Sequence, residues 1–244
     1  SPFRGHAGRM SARERAQSLA RRGTLVAAIA LLGLAGVYVR ALMFTPIERF
    51  QGPAQKIFYV HAPAAWSALL AFGVTGVLSV LYLWLRDRRL DIGAAASAEV
   101  GVAFSLVMLT TGPIWGKPVW GTWWTWDARL TSTLVTFLLF VGYLVLRGAV
   151  TDPDTRARYA AVVGTLGLVL VPFIHLTVYL FRTLHPDPIL MKPSAPSLPG
   201  EMLLTLLLSF GVFTLLYGGF LAQRYALGVL RDLREQEASG AVSG

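Results

Sequence analysis

The chain has 244 residues, of which 55% are hydrophobic and only 14% are charged, and its mean hydropathy is +0.56. A soluble domain carries roughly 25% charged residues, so this composition excludes an ordinary soluble enzyme or regulator. The chain has no cysteine, which excludes a disulfide framework, a thiolate metal site and a cysteine nucleophile.

Six apolar segments, taken in chain order, come close to the ~20 residues that cross ~30 Å of hydrocarbon. They run over 24–44, 63–85, 93–113, 130–146, 159–181 and 202–221. The loops between them are too short for a separate soluble domain. The sequence therefore predicts an all-α membrane protein: a six-transmembrane helix bundle over 24–224, preceded by a basic segment (1–23) and followed by a tail (225–244).

The basic residues predict the orientation of this bundle. Of the 22 Lys and Arg residues, 15 lie before the first span or after the second, fourth and sixth spans. Because cytoplasmic loops are enriched in Lys and Arg, both termini are expected in the cytoplasm. The loops 45–62, 114–129 and 182–201 then face outward. The net charge of +9 is explained by topology, and we expect contact with membrane lipid and no nucleic-acid partner.

The outward loop between spans three and four is rich in tryptophan. Its sequence WGKPVWGTWWTWDARLT holds five of the seven tryptophans, Trp115, Trp120, Trp123, Trp124 and Trp126. From Trp120 to Asp127, three indoles and the carboxylate recur at relative positions 0, 3, 4 and 7, which is one face of a helix. This spacing predicts a short amphipathic helix on the membrane surface whose indoles bind a large planar apolar ligand and whose carboxylate orients or caps the stripe. An interfacial aromatic belt is the alternative.

Two histidines share the outer face with this loop. His61 lies in FYVHAPAAW, where Pro63 is expected to start the second span, and His185 follows the fifth span in RTLHPDP. Two imidazoles can occupy both axial positions of a haem iron. The alternative for each is an interfacial histidine bonded to water or backbone. His6 is expected to be solvated, and His175 to make a buried hydrogen bond near the kink at Pro172.

Charged residues near this face or inside the spans are further candidates. Four outer cations, Arg49, Lys56, Arg129 and Arg182, could neutralise carboxylates of a ligand or simply extend to the interface. Glu99, inside span three, is expected to pair with the arginines at 86–89.

The segment WGTWWTWDARLT and the outer histidine of YVHAPAA carry a resemblance to a known family. With six spans and the TLH motif after the fifth span, the chain resembles the cytochrome c maturation protein C family, also called haem exporter protein C. The family belongs to the bacterial haem-handling membrane proteins with a tryptophan-rich "WWD" signature. The resemblance covers nearly the whole chain, from about residue 24 to 224.

The resemblance implies a function and a set of partners. Members hold haem at the periplasmic surface of the bacterial inner membrane through two axial histidines, which correspond to His61 and His185, and the tryptophan segment binds the vinyl side. They pass haem to a periplasmic haem chaperone within an assembly that has ATP-binding-cassette subunits and a small membrane subunit. Since this chain has no cysteine, its haem is expected to be non-covalent haem b.

Other functions are weighed against haem delivery. A haem lyase would need the extra spans and large periplasmic domain of the larger synthases that share the tryptophan signature. A b-type electron carrier would usually need histidine pairs at membrane depth, and a secondary haem transporter would need polar residues along its spans. The stretch GPIWGKP lacks the spacing and the Ser or Thr of a phosphate-binding loop, so ATP hydrolysis would belong to a partner. A delivery subunit is expected more than a classical enzyme.

Overall fold

The computed structural model describes residues 11–185 and 198–242. Within these ranges the chain forms six α-helices and one short 3₁₀ helix over Pro53–Ile57. The α-helices are α1 (Ala12–Met43), α2 (Phe58–Leu85), α3 (Arg88–Trp120), α4 (Ala128–Ala149), α5 (Pro153–Leu180) and α6 (Gly200–Val242). All six are long and apolar enough to span a membrane, which confirms the predicted fold. The expectation for His6 lies outside the described residues.

Several helices extend beyond the predicted spans because their capping residues lie outside the apolar runs. Asp87 and Asp152 accept backbone hydrogen bonds at the starts of α3 and α5, as N-cap side chains do. At its other end, α3 continues through Pro113 and Pro118 and ends where Gly121 adopts a left-handed φ of 77°. The prediction that span three ends at 113 is therefore wrong.

Small residues allow the helices to pack closely around α2. Ala64, Ala68 and Ala71 are almost completely buried, and their spacing places them on one face of α2. Further along this helix, Phe72 stacks on Phe140 of α4 with ring centroids 3.9 Å apart. Helix α2 thus lies at the centre of the bundle, against α3, α5 and α6, while α1 packs mainly on α6.

The α1–α6 contact depends on glycine at one crossing point. A Cβ at Gly219 would lie 2.7 Å from the backbone nitrogen of Ala27. Gly219→Val is therefore expected to force the two helices apart and to cost about 1–3 kcal/mol, as over-packing typically does. The measurement is the thermal unfolding midpoint of the purified protein in detergent. Gly218→Val is the matched control because a Cβ there meets open space; equal losses in both variants would contradict the prediction.

Ion pairs hold the loops at one end of the bundle to α6. Arg88, in the first turn of α3, lies 2.6 Å from Asp232, and Arg156 of α5 lies 3.8 Å from Glu235. Both carboxylates belong to the last part of α6. The loops before α3 and α5 therefore lie at the same end as the carboxyl end of α6, and the prediction that this end is cytoplasmic rests on their basic residues.

Two further ion pairs lie deeper in the same half. The Arg147 guanidinium binds both carboxylate oxygens of Asp91, at 2.5 and 2.9 Å. Glu99 pairs with Arg224 of α6, so the prediction of a partner among the arginines at 86–89 is wrong. The reason is that α6 packs against α3, which places the Arg224 guanidinium beside the Glu99 carboxylate.

Candidate functional site

The two histidines predicted as ligands lie next to each other at the opposite end of the bundle. His61 is in the first turn of α2, and His185 follows the end of α5. Their ring centroids are 6.3 Å apart and the planes make an angle of 43°. The expectation that Pro63 starts the helix is wrong, because α2 begins at Phe58 and directly follows the 3₁₀ helix.

The spacing of the two rings suits coordination of a single metal. A metal–imidazole bond is about 2 Å and a ring nitrogen lies roughly 1 Å from its ring centre, so two axial imidazoles have centres roughly 6 Å apart. The observed 6.3 Å matches this sum. Neutral nitrogen donors of this kind are ligands that haem iron accepts.

His185 is held in its neutral form. Burial lowers the pKa of His185 to about 3, and the positive charge of Arg129 acts in the same direction. Its Nδ1 atom is buried and has no hydrogen-bond partner among the described residues. A neutral imidazole is the form that binds a metal, so the donor set of this site fits an iron held by nitrogen alone.

Two of the five clustered tryptophans pack against the histidines. The Trp115 ring centroid lies 5.6 Å from that of His61, and the Trp120 centroid lies 5.8 Å from that of His185. The two indoles are themselves 5.9 Å apart, and the Trp115 Nε1–H donates to Gln51 Oε1 at 3.0 Å. The pair forms a fixed aromatic wall beside both imidazoles.

The remaining tryptophans do not continue this wall as a helix. Residues 121–127 contain no helical turn, because Gly121 ends α3 and the next helix starts only after Asp127. The predicted amphipathic helix is therefore wrong. Trp123 and Trp126 are 58% and 76% exposed. Trp123 and the half-buried Trp124 nevertheless line the cavity described below, whereas the exposure of Trp126 is that of an interfacial belt residue.

Asp127 connects the tryptophan segment to the loop that carries His185. Its Oδ1 accepts the Leu130 backbone N–H at 2.9 Å, which makes it the N-cap of α4. Its Oδ2 accepts from the Thr125 hydroxyl at 3.1 Å and from the Leu184 N–H at 3.3 Å. The carboxylate thus caps a helix rather than an indole stripe, and it fixes the residue that precedes His185.

A cavity of about 800 Å³ opens beside the two imidazoles. Its walls come from α2 to α6 and the tryptophan segment, with Trp66 on α2 and with Leu206 and Phe210 on α6. Ligand pockets of several hundred Å³ with mostly apolar walls are typical of sites for drug-sized or larger molecules. None of these three residues was singled out from the sequence, because each belongs to an ordinary apolar run.

Arg129 and His175 also line this cavity. Of the four predicted cations, Arg129 is the one on its wall, whereas the Lys56 ammonium donates to the carbonyl oxygens of Thr45 and Pro46. His175 is only half-buried, with its ring edge-on to Tyr179 at 5.9 Å, so the expected buried position is not found. The cavity therefore holds three imidazoles and one guanidinium.

Comparison with known proteins gives a consistent set of matches. A family model described as heme exporter protein C matches residues 8–239. Heme exporter protein C of Bradyrhizobium diazoefficiens is 40% identical over 193 residues, which cover 79% of this chain and 73% of the relative. The protein of the same name in Haemophilus influenzae is 36% identical over 204 residues, 84% of this chain and 82% of the relative. A putative cytochrome c biosynthesis ccmC-like mitochondrial protein of Marchantia polymorpha is 35% identical over 180 residues, 74% of this chain and 76% of the relative.

Proposed function

The chain belongs to the heme exporter protein C family, and on that basis we propose that it binds haem at the outer face of the membrane and delivers it for cytochrome c maturation. His61 and His185 supply the axial ligands. The recipient is a periplasmic haem chaperone. The membrane is the inner membrane of a bacterium, and the six helices are long and apolar enough to cross it.

The observation that carries the proposal is the placement of the two imidazoles. They are 124 positions apart in the sequence, yet their rings are 6.3 Å apart at the edge of an apolar cavity. A histidine pair that only satisfied hydrogen bonds would not need such a cavity beside it. The volume, the aromatic wall and the nitrogen donors together suit a flat iron macrocycle such as haem b.

Each part of the site has a separate task in this proposal. The two imidazoles hold the iron, and Trp115 and Trp120 give the macrocycle a rigid apolar surface. Arg129 on the cavity wall pairs with a propionate. When bound, haem supplies the vinyl group that the chaperone captures. Since the chain has no cysteine, haem stays non-covalent and can leave.

The energy for release comes from partners. The sequence has no phosphate-binding loop, so ATP is hydrolysed by ATP-binding-cassette subunits of the same assembly, which also includes a small membrane subunit. This chain then acts as the haem-presenting component of the complex.

The absorption spectrum of the purified protein tests this function. Protein made in haem-sufficient cells is expected to retain non-covalent haem with the spectrum of six-coordinate iron, because two imidazoles occupy both axial positions. Haem that was five-coordinate in the wild type, or absent after reconstitution with hemin, would contradict the proposal.

The tryptophans are expected to divide into two classes when replaced singly by alanine. Trp120→Ala removes the indole beside His185 and should reduce haem retention about tenfold, since losing buried aromatic contact costs one to a few kcal/mol. Trp126→Ala is the matched control, because that side chain is 76% exposed and should leave retention unchanged. The measurement is the haem content per protein after gel filtration in detergent. Equal losses of haem in the two variants would show that Trp120 is an interfacial residue without a role in haem binding.

A further inference from the structure

Helix α3 presents a hydroxyl and a gap to the imidazole of His61. The Oγ1 atom of Thr111 lies 3.1 Å from His61 Nδ1. The next residue is Gly112, and a Cβ there would lie 3.1 Å from His61 Cε1. The ring of His61 therefore rests directly on the helix at these two positions, which we call the α3 seat.

The hydrogen bonds of Thr111 decide which nitrogen of His61 carries the proton. The Thr111 hydroxyl donates to the Val107 carbonyl at 2.7 Å, with the Met108 carbonyl at 3.3 Å. A hydroxyl has a single proton, and here a backbone carbonyl of the same helix takes it. The Oγ1 atom can then only accept from His61, so Nδ1 carries the hydrogen and Nε2 keeps its lone pair.

Glycine at 112 keeps this arrangement possible. A contact of 3.1 Å is closer than an alanine methyl group normally comes to another carbon, so a side chain at this position would require the ring of His61 to shift from its place beside Thr111. The contact would fall on Cε1, the ring carbon between the two nitrogens. The seat thus fixes both the tautomer and the position of the ring.

His185 has no equivalent support. Neither ring nitrogen of His185 has a hydrogen-bond partner among the described residues, and its Nδ1 is fully buried. The residue itself lies on a loop after α5 rather than within a helix. Ligating histidines normally donate their second N–H to a neighbour, which orients the ring and makes it a stronger donor. The two imidazoles are therefore unequal as ligands.

We infer that Thr111 and Gly112 position His61 as the ligand that holds haem, and that His185 is the ligand exchanged when haem leaves. The inference rests on the proposed function and adds to it which of the two histidines dissociates from haem first. Release begins on the His185 side, where the ring packs on Trp120 and His61 and makes no hydrogen bond with the residues that the structure describes. Thr111 is a positioning residue, since it acts through His61.

The first test removes the acceptor of the seat. Thr111→Val keeps the shape of the side chain and deletes Oγ1, so haem affinity is expected to fall about tenfold and the reduction potential to rise, because the imidazole becomes a weaker donor to ferric iron. Thr111→Ser keeps the hydroxyl and should have the haem affinity and the reduction potential of the wild type. Thr110→Val is the matched control, because its hydroxyl bonds to Leu106 and Val107 carbonyls and makes no contact with His61 in the described structure. Potentials come from spectroscopic redox titration.

The second test compares the two ligands directly. His185→Ala should retain about tenfold more haem than His61→Ala, with five-coordinate iron, because the seat still holds His61. Equal retention in the two variants, or more in His61→Ala, would overturn the inference even if Thr111→Val failed to accumulate. A wild-type potential and affinity in Thr111→Val would also overturn it. The proposed function fails separately, if wild-type protein shows no six-coordinate haem or if both histidine variants keep it.

Discussion

The double variant His61→Ala/His185→Ala is expected to lose its bound haem almost completely. Loss of an outer partner of a metal ligand already costs about 10–100-fold in affinity, so loss of both ligands should cost more than about 100-fold. The apolar cavity would remain, but it would retain the macrocycle by contact alone. The measurement is the haem content per protein together with the absorption spectrum.

His175→Ala provides the matched control for this experiment. His175 lines the same cavity, but its ring packs on Tyr179 and is assigned no bond to iron. The control should keep the six-coordinate spectrum. Retention of that spectrum by the double variant, or its loss in the control, would show that the ligands are misassigned.

Asp91→Asn is expected to cause the largest loss of stability, about 3–5 kcal/mol. Only 5% of the Asp91 side chain and 15% of the Arg147 side chain are exposed, and the carboxylate takes two hydrogen bonds from the guanidinium. Removing one charge leaves the other buried without compensation, which is where the cost arises. Unfolding of the purified protein in detergent, by heat or by denaturant, measures the change.

Glu99→Gln serves as the comparison for Asp91→Asn. Its partner Arg224 is 36% exposed and Glu99 itself 31%, so the remaining arginine is less enclosed by protein and can extend toward the membrane surface, and the loss should be clearly smaller. If the two substitutions destabilised the protein equally, burial would not be what makes the Asp91 pair important.

The number and order of the helices could be predicted from the sequence because lipid demands long apolar segments. Their ends could not. Pro113 lies inside α3, although proline often ends helices in soluble proteins, and membrane helices tolerate it when neighbours satisfy the freed backbone groups. The caps at Asp87 and Asp152 lie in polar segments outside the apolar runs that defined the spans.

The sequence identified the two histidines that the structure places side by side, but it mispredicted the local shape of the tryptophan segment. His61 and His185 stood out as rare residues on the outer face. The spacing from Trp120 to Asp127 fits a helix by coincidence, since Gly121 divides it into the last residue of α3 and an irregular segment. Thr111 and Gly112 could not be identified in advance, because a threonine and a glycine in an apolar helix are common and their role depends on what α2 places opposite them.

One property of α6 links the two ends of the molecule. With 43 residues at 1.5 Å rise, the helix is about 65 Å long, roughly twice the thickness of the hydrocarbon layer. Leu206 and Phe210, near its start, form part of the cavity wall. Asp232 and Glu235, near its end, form ion pairs with arginines of α3 and α5. Because one continuous helix forms both regions, a displacement of its carboxyl-terminal half is expected to move part of the cavity wall at the other end of the bundle.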